Sequence, residues 1–123
     1  MPFQFPDAVA EVRVAFHAYE AALVANDLAA LSSWFSDGDD VVRFAFGDIQ
    51  LGAAAVARAR RSTPVQTAPR TVEQLELRAW SPDVVSAFAV CRLDESGEVV
   101  HQSQVWVRMA RQWRVCAAHV SWA

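Results

Sequence analysis

Three side chains in this sequence are of types that can hold and protonate a small acid: Tyr19, Arg43 and His119. Tyr19 falls on the apolar stripe of the first helical segment, where a buried phenol must satisfy its hydroxyl. It is either a core tyrosine with a structural hydrogen bond or a hydroxyl aimed into a cavity, able to donate a proton or orient a substrate. Arg43 interrupts the strand-like run VVRFAF at 41–46. An arginine there either faces water or offers a guanidinium fork that holds a carboxylate in two parallel hydrogen bonds. Asp39, Asp40 and Asp48 all read as turn acids, so no carboxylate on an inward position is expected to neutralise it. His119 is either a core histidine bonded to a neighbour or part of the same site.

The link between these residues is the last hairpin, 98–109 and 112–122 around Ala110-Arg111. With a two-residue loop, Gln102 faces His119, Gln104 faces Ala117 and Trp106 faces Val115. Strict alternation then puts Gln102, Gln104, Trp106, Trp113, Ala117, His119 and Ser121 on one face. That face mixes polar groups with bulky apolar ones, as a ligand cavity does. Trp34, at the end of the second helix, and Arg70 are further candidates for its lining. Arg60, Arg61 and Arg70 flank a loop with two prolines, 62–69, and read as solvated, with one able to reach over the pocket mouth. His17 and His101 read as surface or rim residues. The sequence has no Ser/His/Asp set, glycine-rich phosphate loop or metal-ligand spacing, and no cofactor is expected.

The elements that must position these groups are legible as a pattern. Val9, Val12, Phe16, Tyr19 and Leu23 recur at helical spacing and predict a helix over 7–25, with Pro6 and Asp7 at its start and Asn26 at its end. Asp27 is expected to cap a short helix reaching Phe35, with Leu28, Leu31, Trp34 and Phe35 inward. A strand at 41–46, closed by Gly47-Asp48, and a third helix at 52–61 follow. Strands are expected at 71–80 and 84–93, the second apolar on both faces and therefore central. Helices first and a four-strand antiparallel meander afterwards make an α+β domain whose sheet twists around the helices.

Bulk composition narrows the function classes. The 123 residues make one domain, 54% hydrophobic and 20% charged, which is more apolar than usual and points to an apolar cavity or a subunit interface. The net charge is −3 and every basic side chain counted is arginine, without the basic footprint of a nucleic-acid or membrane-surface binder. No nucleic-acid or membrane partner is expected. The N-terminus has neither the basic nor the apolar region of a signal peptide. Cys91 and Cys116 sit in apolar runs and read as reduced thiols of a cytoplasmic protein.

The segment HQSQVWVRMARQWRVCAAHVS at 101–121 resembles the AtzH-like proteins, a branch of the SnoaL-like, nuclear-transport-factor-2-like superfamily. Those proteins typically read QSQ-x-W-V-R, then W-R-I/V-V-A-A-H-V-S. The likeness extends to AFHAYEAALVANDLAALSSWF (15–35), VVRFAFGDIQLGAAAVARARR (41–61) and the Arg70-Thr71 pair, nearly the whole chain. Two departures are His101, where relatives often carry arginine, and the apolar Ala45-Phe46 after the arginine. The resemblance implies a cone-shaped SnoaL-like fold, three N-terminal helices on a strongly curved sheet, usually a homodimer without a cofactor. It implies decarboxylation of dicarboxyurea to allophanate, or chemistry on an oxalurate-like acid. It places the family's helix tyrosine and strand arginine on Tyr19 and Arg43, and its tail histidine and serine on His119 and Ser121.

Two function classes fit these residues. One is an enzyme on urea-derived carboxylates, with Arg43 as the fork, Tyr19 or His119 as the acid, and the glutamines bonding the urea core. The other is a small-acid-binding module, such as an accessory protein for a neighbouring amidohydrolase. A structural dimer with a vestigial pocket is the third reading.

Overall fold

The computed structural model describes residues 4–62 and 69–123. Helix α1 spans Pro6–Val24, with proline in its first turn and Asp7 at the positive end of its dipole. Val12, Phe16, Tyr19 and Leu23 are buried along it, the expected stripe. Val12 and Phe16 have no exposed surface, and burying side chains of this size contributes roughly 1.5–3 kcal/mol each. Asn26, with φ at 52°, turns the chain. Asp27 accepts a hydrogen bond from the Ala30 N–H at 3.1 Å and so caps α2, Leu28–Trp34.

Strand β1 covers Val42–Ala45 and is shorter than expected, because Phe46 and Gly47 (φ 50° and 87°) form a two-residue turn. The chain returns as β2, Asp48–Leu51, a strand the sequence pattern does not announce. Both turn residues lie in the left-handed region, as a tight hairpin requires. Helix α3, Ala53–Ser62, follows, and most of the loop expected at 62–69 lies outside the described residues. Strands β3 (Arg70–Ser81), β4 (Val84–Leu93), β5 (Val99–Met109) and β6 (Gln112–Trp122) form the expected antiparallel meander. The β1–β2 hairpin joins its edge through a parallel pairing of β1 with β6, giving a six-strand sheet in the order β2-β1-β6-β5-β4-β3. Helix α1 packs against β3 and β4, and α2 against β6. The core lies between the helices and the inner face of the curved sheet.

One local feature decides which side chains reach that core. Ala110 and Arg111, both with positive φ, make the two-residue turn, and Trp106 faces Val115 as the simple pairing requires. Beyond that pair the register slips by one, so that Val105 faces Ala117 and Cys116 is the extra residue of a β-bulge. A slip of one residue inverts every side chain after it. Trp113 and Val115 point inward before the bulge, and Ala118 and Val120 do so after it. Gln102 therefore faces Val120 rather than His119, and Gln104 faces Ala118 rather than Ala117. His119 and Ser121 stand on the outer face.

Candidate functional site

Arg43 is the middle residue of an inward set, Val41, Arg43 and Ala45, all buried while Phe44 faces out. Its Nη1 donates to Gln50 Oε1 at 2.9 Å across the β1–β2 hairpin, and Gln50 Nε2 donates to Asp48 Oδ2 at 3.0 Å. Asp48 is thus joined to the arginine through the glutamine. Burial, and then the like charge of Arg60, pull the Arg43 guanidinium down to about 10. Asp48 opposes that shift without cancelling it.

Arg60 supplies the second cation. The arginines beside the loop were expected in solvent, but Arg60 is buried, with 7% of its surface exposed. Val56 and Arg60, one helical turn apart, are the buried residues of α3. The Arg60 guanidinium lies 5.1 Å from the Phe35 ring centre and 5.6 Å from that of Tyr19. Its Nη2 donates to the Tyr19 hydroxyl oxygen at 2.8 Å. Its Nε–H has no hydrogen-bond partner among the described residues. The Tyr19 ring is fixed by an edge contact with Trp106, 6.3 Å between centres, and by Phe35 at 6.0 Å.

A cavity of about 210 Å³ opens beside these groups. Arg43, Arg60 and Gln50 give it a polar side, Leu23 and Leu31 an apolar one, and Asp48 also borders it. A crevice of about 10 Å³ carries Arg43 on to Tyr19, Arg70 and Gln102. His119 adjoins this crevice as the residue between Ala118 and Val120, but its ring meets Phe44 edge-on across the outer face, at 6.0 Å.

Arg70 is bound differently. Its Nε and Nη2 donate to both oxygens of Glu20, at 2.9 and 2.7 Å, in a bidentate pair. Gln102 Nε2 donates to the same carboxylate at 3.0 Å and its Oε1 accepts from Arg70 at 3.4 Å. Burial pulls the Arg70 guanidinium down, but the hydrogen bonds and charge of Glu20 outweigh it and leave it raised. The carboxylate is answered three times over, so Arg70 and Gln102 are occupied by the protein itself.

The structure therefore brings Tyr19 and Arg43 together and separates His119 and Ser121 from them. The expected glutamine face exists, but Gln104 accepts from the Trp106 indole N–H at 2.9 Å and Trp106 is wholly buried. Trp34 is half-buried edge-on against Trp106, at 5.8 Å, and lines a groove with Glu11 and Trp113 away from Arg43. Glu20 and Gln50 are not singled out by the sequence pattern, and of the loop-flanking arginines Arg60, with Arg70, turns inward. Glu20 was legible, four residues after Phe16 and three before Leu23 on the buried side of α1. Cys91 is buried, Cys116 half-buried, and both are free thiols. Among the described residues no group of three or more His, Cys, Asp or Glu side chains is arranged to hold a metal ion.

A model of the AtzH-like family matches residues 1–123. The chain belongs to the AtzH-like family. Its fold is that of solved structures described as nuclear-transport-factor-2-like or cystatin-like. This AtzH-like chain is similar to a protein of unknown function from Pectobacterium atrosepticum at 31% identity and a TM-score of 0.89, over 96% of this chain and 92% of that one. It is similar to a cystatin-like fold protein from Burkholderia xenovorans at 32% identity and 0.87, over 95% and 92%. A nuclear-transport-factor-2-like protein of unknown function from Pseudomonas putida shares the fold at 22% identity and 0.81, over 94% and 86%. No curated protein matches the chain. Among the described residues, no helix is long and apolar enough to cross a membrane.

Proposed function

We propose that the cavity beside Arg43 binds a small urea-derived carboxylate and acts on it, by decarboxylation of a dicarboxyurea-like acid or hydrolysis of an oxalurate-like one. The observation that carries this reading is the 2.8 Å bond in which Tyr19 accepts from Arg60. With a cation on its oxygen, the hydroxyl keeps its own proton for another acceptor, and Arg43 stands across the same crevice. In an N-carboxylated urea, protonation of the nitrogen that bears the carboxylate lets the C–N bond break. Its electron pair stays on nitrogen, and carbon dioxide leaves. Arg43 holds a carboxylate, Tyr19 delivers the proton, and solvent restores it. A positioned donor of this kind contributes roughly a hundredfold or more in rate. His119, also a candidate for the acid or its support, is on the wrong face for either, and Arg60 takes the supporting role.

The test is turnover by the purified protein, followed as carbon dioxide released from N-carboxylated ureas. The expected result is carbon dioxide release by the wild type that depends on the Tyr19 hydroxyl. Retained binding without turnover would favour the non-catalytic reading, an acid-binding accessory of an amidohydrolase. That reading has its own support: with Gln102, Gln104 and Arg70 engaged internally, few polar groups remain to grip a urea core.

The same reading includes a homodimer through the outer face of the sheet. Phe44, Ile49, Leu51 and Phe88 are each at least 40% exposed, an apolar set larger than scattered surface residues explain. Sedimentation at micromolar concentration should give a twofold dimer; a monomer would contradict it.

A further inference from the structure

The Nε–H of Arg60 is a donor on a cation, buried, and without an acceptor among the described residues. Buried donors in folded proteins are nearly always satisfied, and those of a guanidinium carry the larger penalty when they are not. Three features make this one a ligand contact rather than a packing accident. Arg60 lines the cavity of about 210 Å³ together with Arg43. The charge of Arg60 reaches Arg43, as the second cause, after burial, of the lowered Arg43 value. The buried carboxylate of α1, Glu20, is fully engaged by Arg70 and Gln102 and leaves the Arg60 Nε–H unanswered. That leaves Asp48, reached from Arg43 through Gln50, as the acid at this cavity. An anion entering here relieves the repulsion between two guanidiniums and fills the vacant donor at once.

We propose that Arg60 is a ligand-binding and positioning residue: its Nε–H takes an oxygen of the bound acid, while its Nη2–H holds the Tyr19 oxygen and so aims the tyrosine's proton at that same ligand. The ligand is a compact acid whose oxygen acceptors reach Arg43 and Arg60 together. The cavity of about 210 Å³ suits a compact acid of a few carbons. The inference rests on the carboxylate reading of the cavity and adds to it the residue that sets ligand geometry. One guanidinium serving both the ligand and the proton donor couples binding to orientation, which arginine's planar fork allows and an ammonium does not.

Malonate is the probe, titrated by calorimetry at low salt into the wild type, Arg43→Met, Arg60→Lys and Arg60→Gln, with circular dichroism to establish that each variant is folded. The expected result is binding by the wild type, a loss of at least tenfold in Arg60→Gln, and a smaller loss in Arg60→Lys, which keeps the charge without the fork. Tyr19 is the sole tyrosine of the chain, so carbon-13 labelling of tyrosine gives one Cζ resonance. It should move on malonate addition to the wild type and stay put in Arg60→Gln. If both Arg60 variants bind malonate as the wild type does while Arg43→Met does not, Arg60 is structural and the inference is overturned, with the carboxylate reading intact. If the wild type binds neither malonate nor any urea-derived acid, both fall. A tyrosine resonance unmoved by bound malonate would overturn the positioning role.

Discussion

Two buried arginine clusters lie within one side chain of each other, and they have been completed in opposite ways. Around Arg70, one carboxylate accepts two guanidinium bonds and one amide bond, and the group is closed. Around Arg43 and Arg60, neutral partners stand where acids would close the group: Gln50 for one, the Tyr19 hydroxyl for the other. Burial raises one guanidinium's need for a partner as much as another's. The difference therefore lies in what answers it, a fixed carboxylate in the first case and, for the Arg60 Nε–H in the second, no acceptor among the described residues. A closed pair braces α1 against β3 and β5, whereas an open one leaves the fold carrying a cost that an incoming anion removes.

The comparison breaks most visibly at Glu20. Glu20→Ala strands a buried charge on Arg70 and should cost about 3–5 kcal/mol in chemical denaturation, whereas Glu20→Leu combined with Arg70→Met should recover most of it. A cost near zero for the single change would mean that the closed cluster is no brace. Arg43→Met should do the reverse. A lowered value in the fold means that the native state disfavours the charged form. At neutral pH the charge is therefore a net cost, and its removal should offset the lost bond to Gln50, leaving stability unchanged or slightly raised. A destabilised Arg43→Met would show that the open cluster is braced after all.

Tyr19→Phe sharpens the comparison on the chemical side. It removes the proton but neither ring contact, so turnover should fall at least tenfold, about 1.4 kcal/mol of barrier, and the melting temperature should fall too, because the buried Arg60 Nη2–H loses its acceptor. The smallest effect belongs to Cys91. Burial first, and then the charge of Glu20, push its thiol up to about 11. The native thiol should be nearly inert to disulfide reagents at pH 8, and Glu20→Gln should make it modestly more reactive. Since the raised value favours the neutral thiol in the fold, its contribution to stability should fade as pH rises from about 9 towards 11.

How much of this was legible in the sequence differs by element. The helices were readable because apolar spacing, Pro6 and the Asp27 cap agree with one another. The meander was readable because its turns are short. The candidate pair Tyr19 and Arg43 was readable because each breaks a local pattern, a phenol on an apolar stripe and a cation within a strand. The histidine was not, because a bulge has no letter of its own. Cys116 sits in an apolar run whose alternation looks unbroken, and the slip that turns His119 outward arises from pairing with β5. Arg60 was read from its charge and its neighbours near a proline-containing loop, when its spacing from Val56 already placed it on the buried side of α3. Strand β2 was hidden because Phe46 is an unusual residue for a left-handed turn position.

The central claim is that the open cluster is a carboxylate site governed by Arg43. Calorimetric titration of oxalurate and allophanate into the wild type and Arg43→Met tests it most directly. The account predicts saturable binding of at least one acid by the wild type and a loss of more than about tenfold in the variant, as removing a charge-assisted bidentate contact requires. Equal affinity in the two proteins would contradict it.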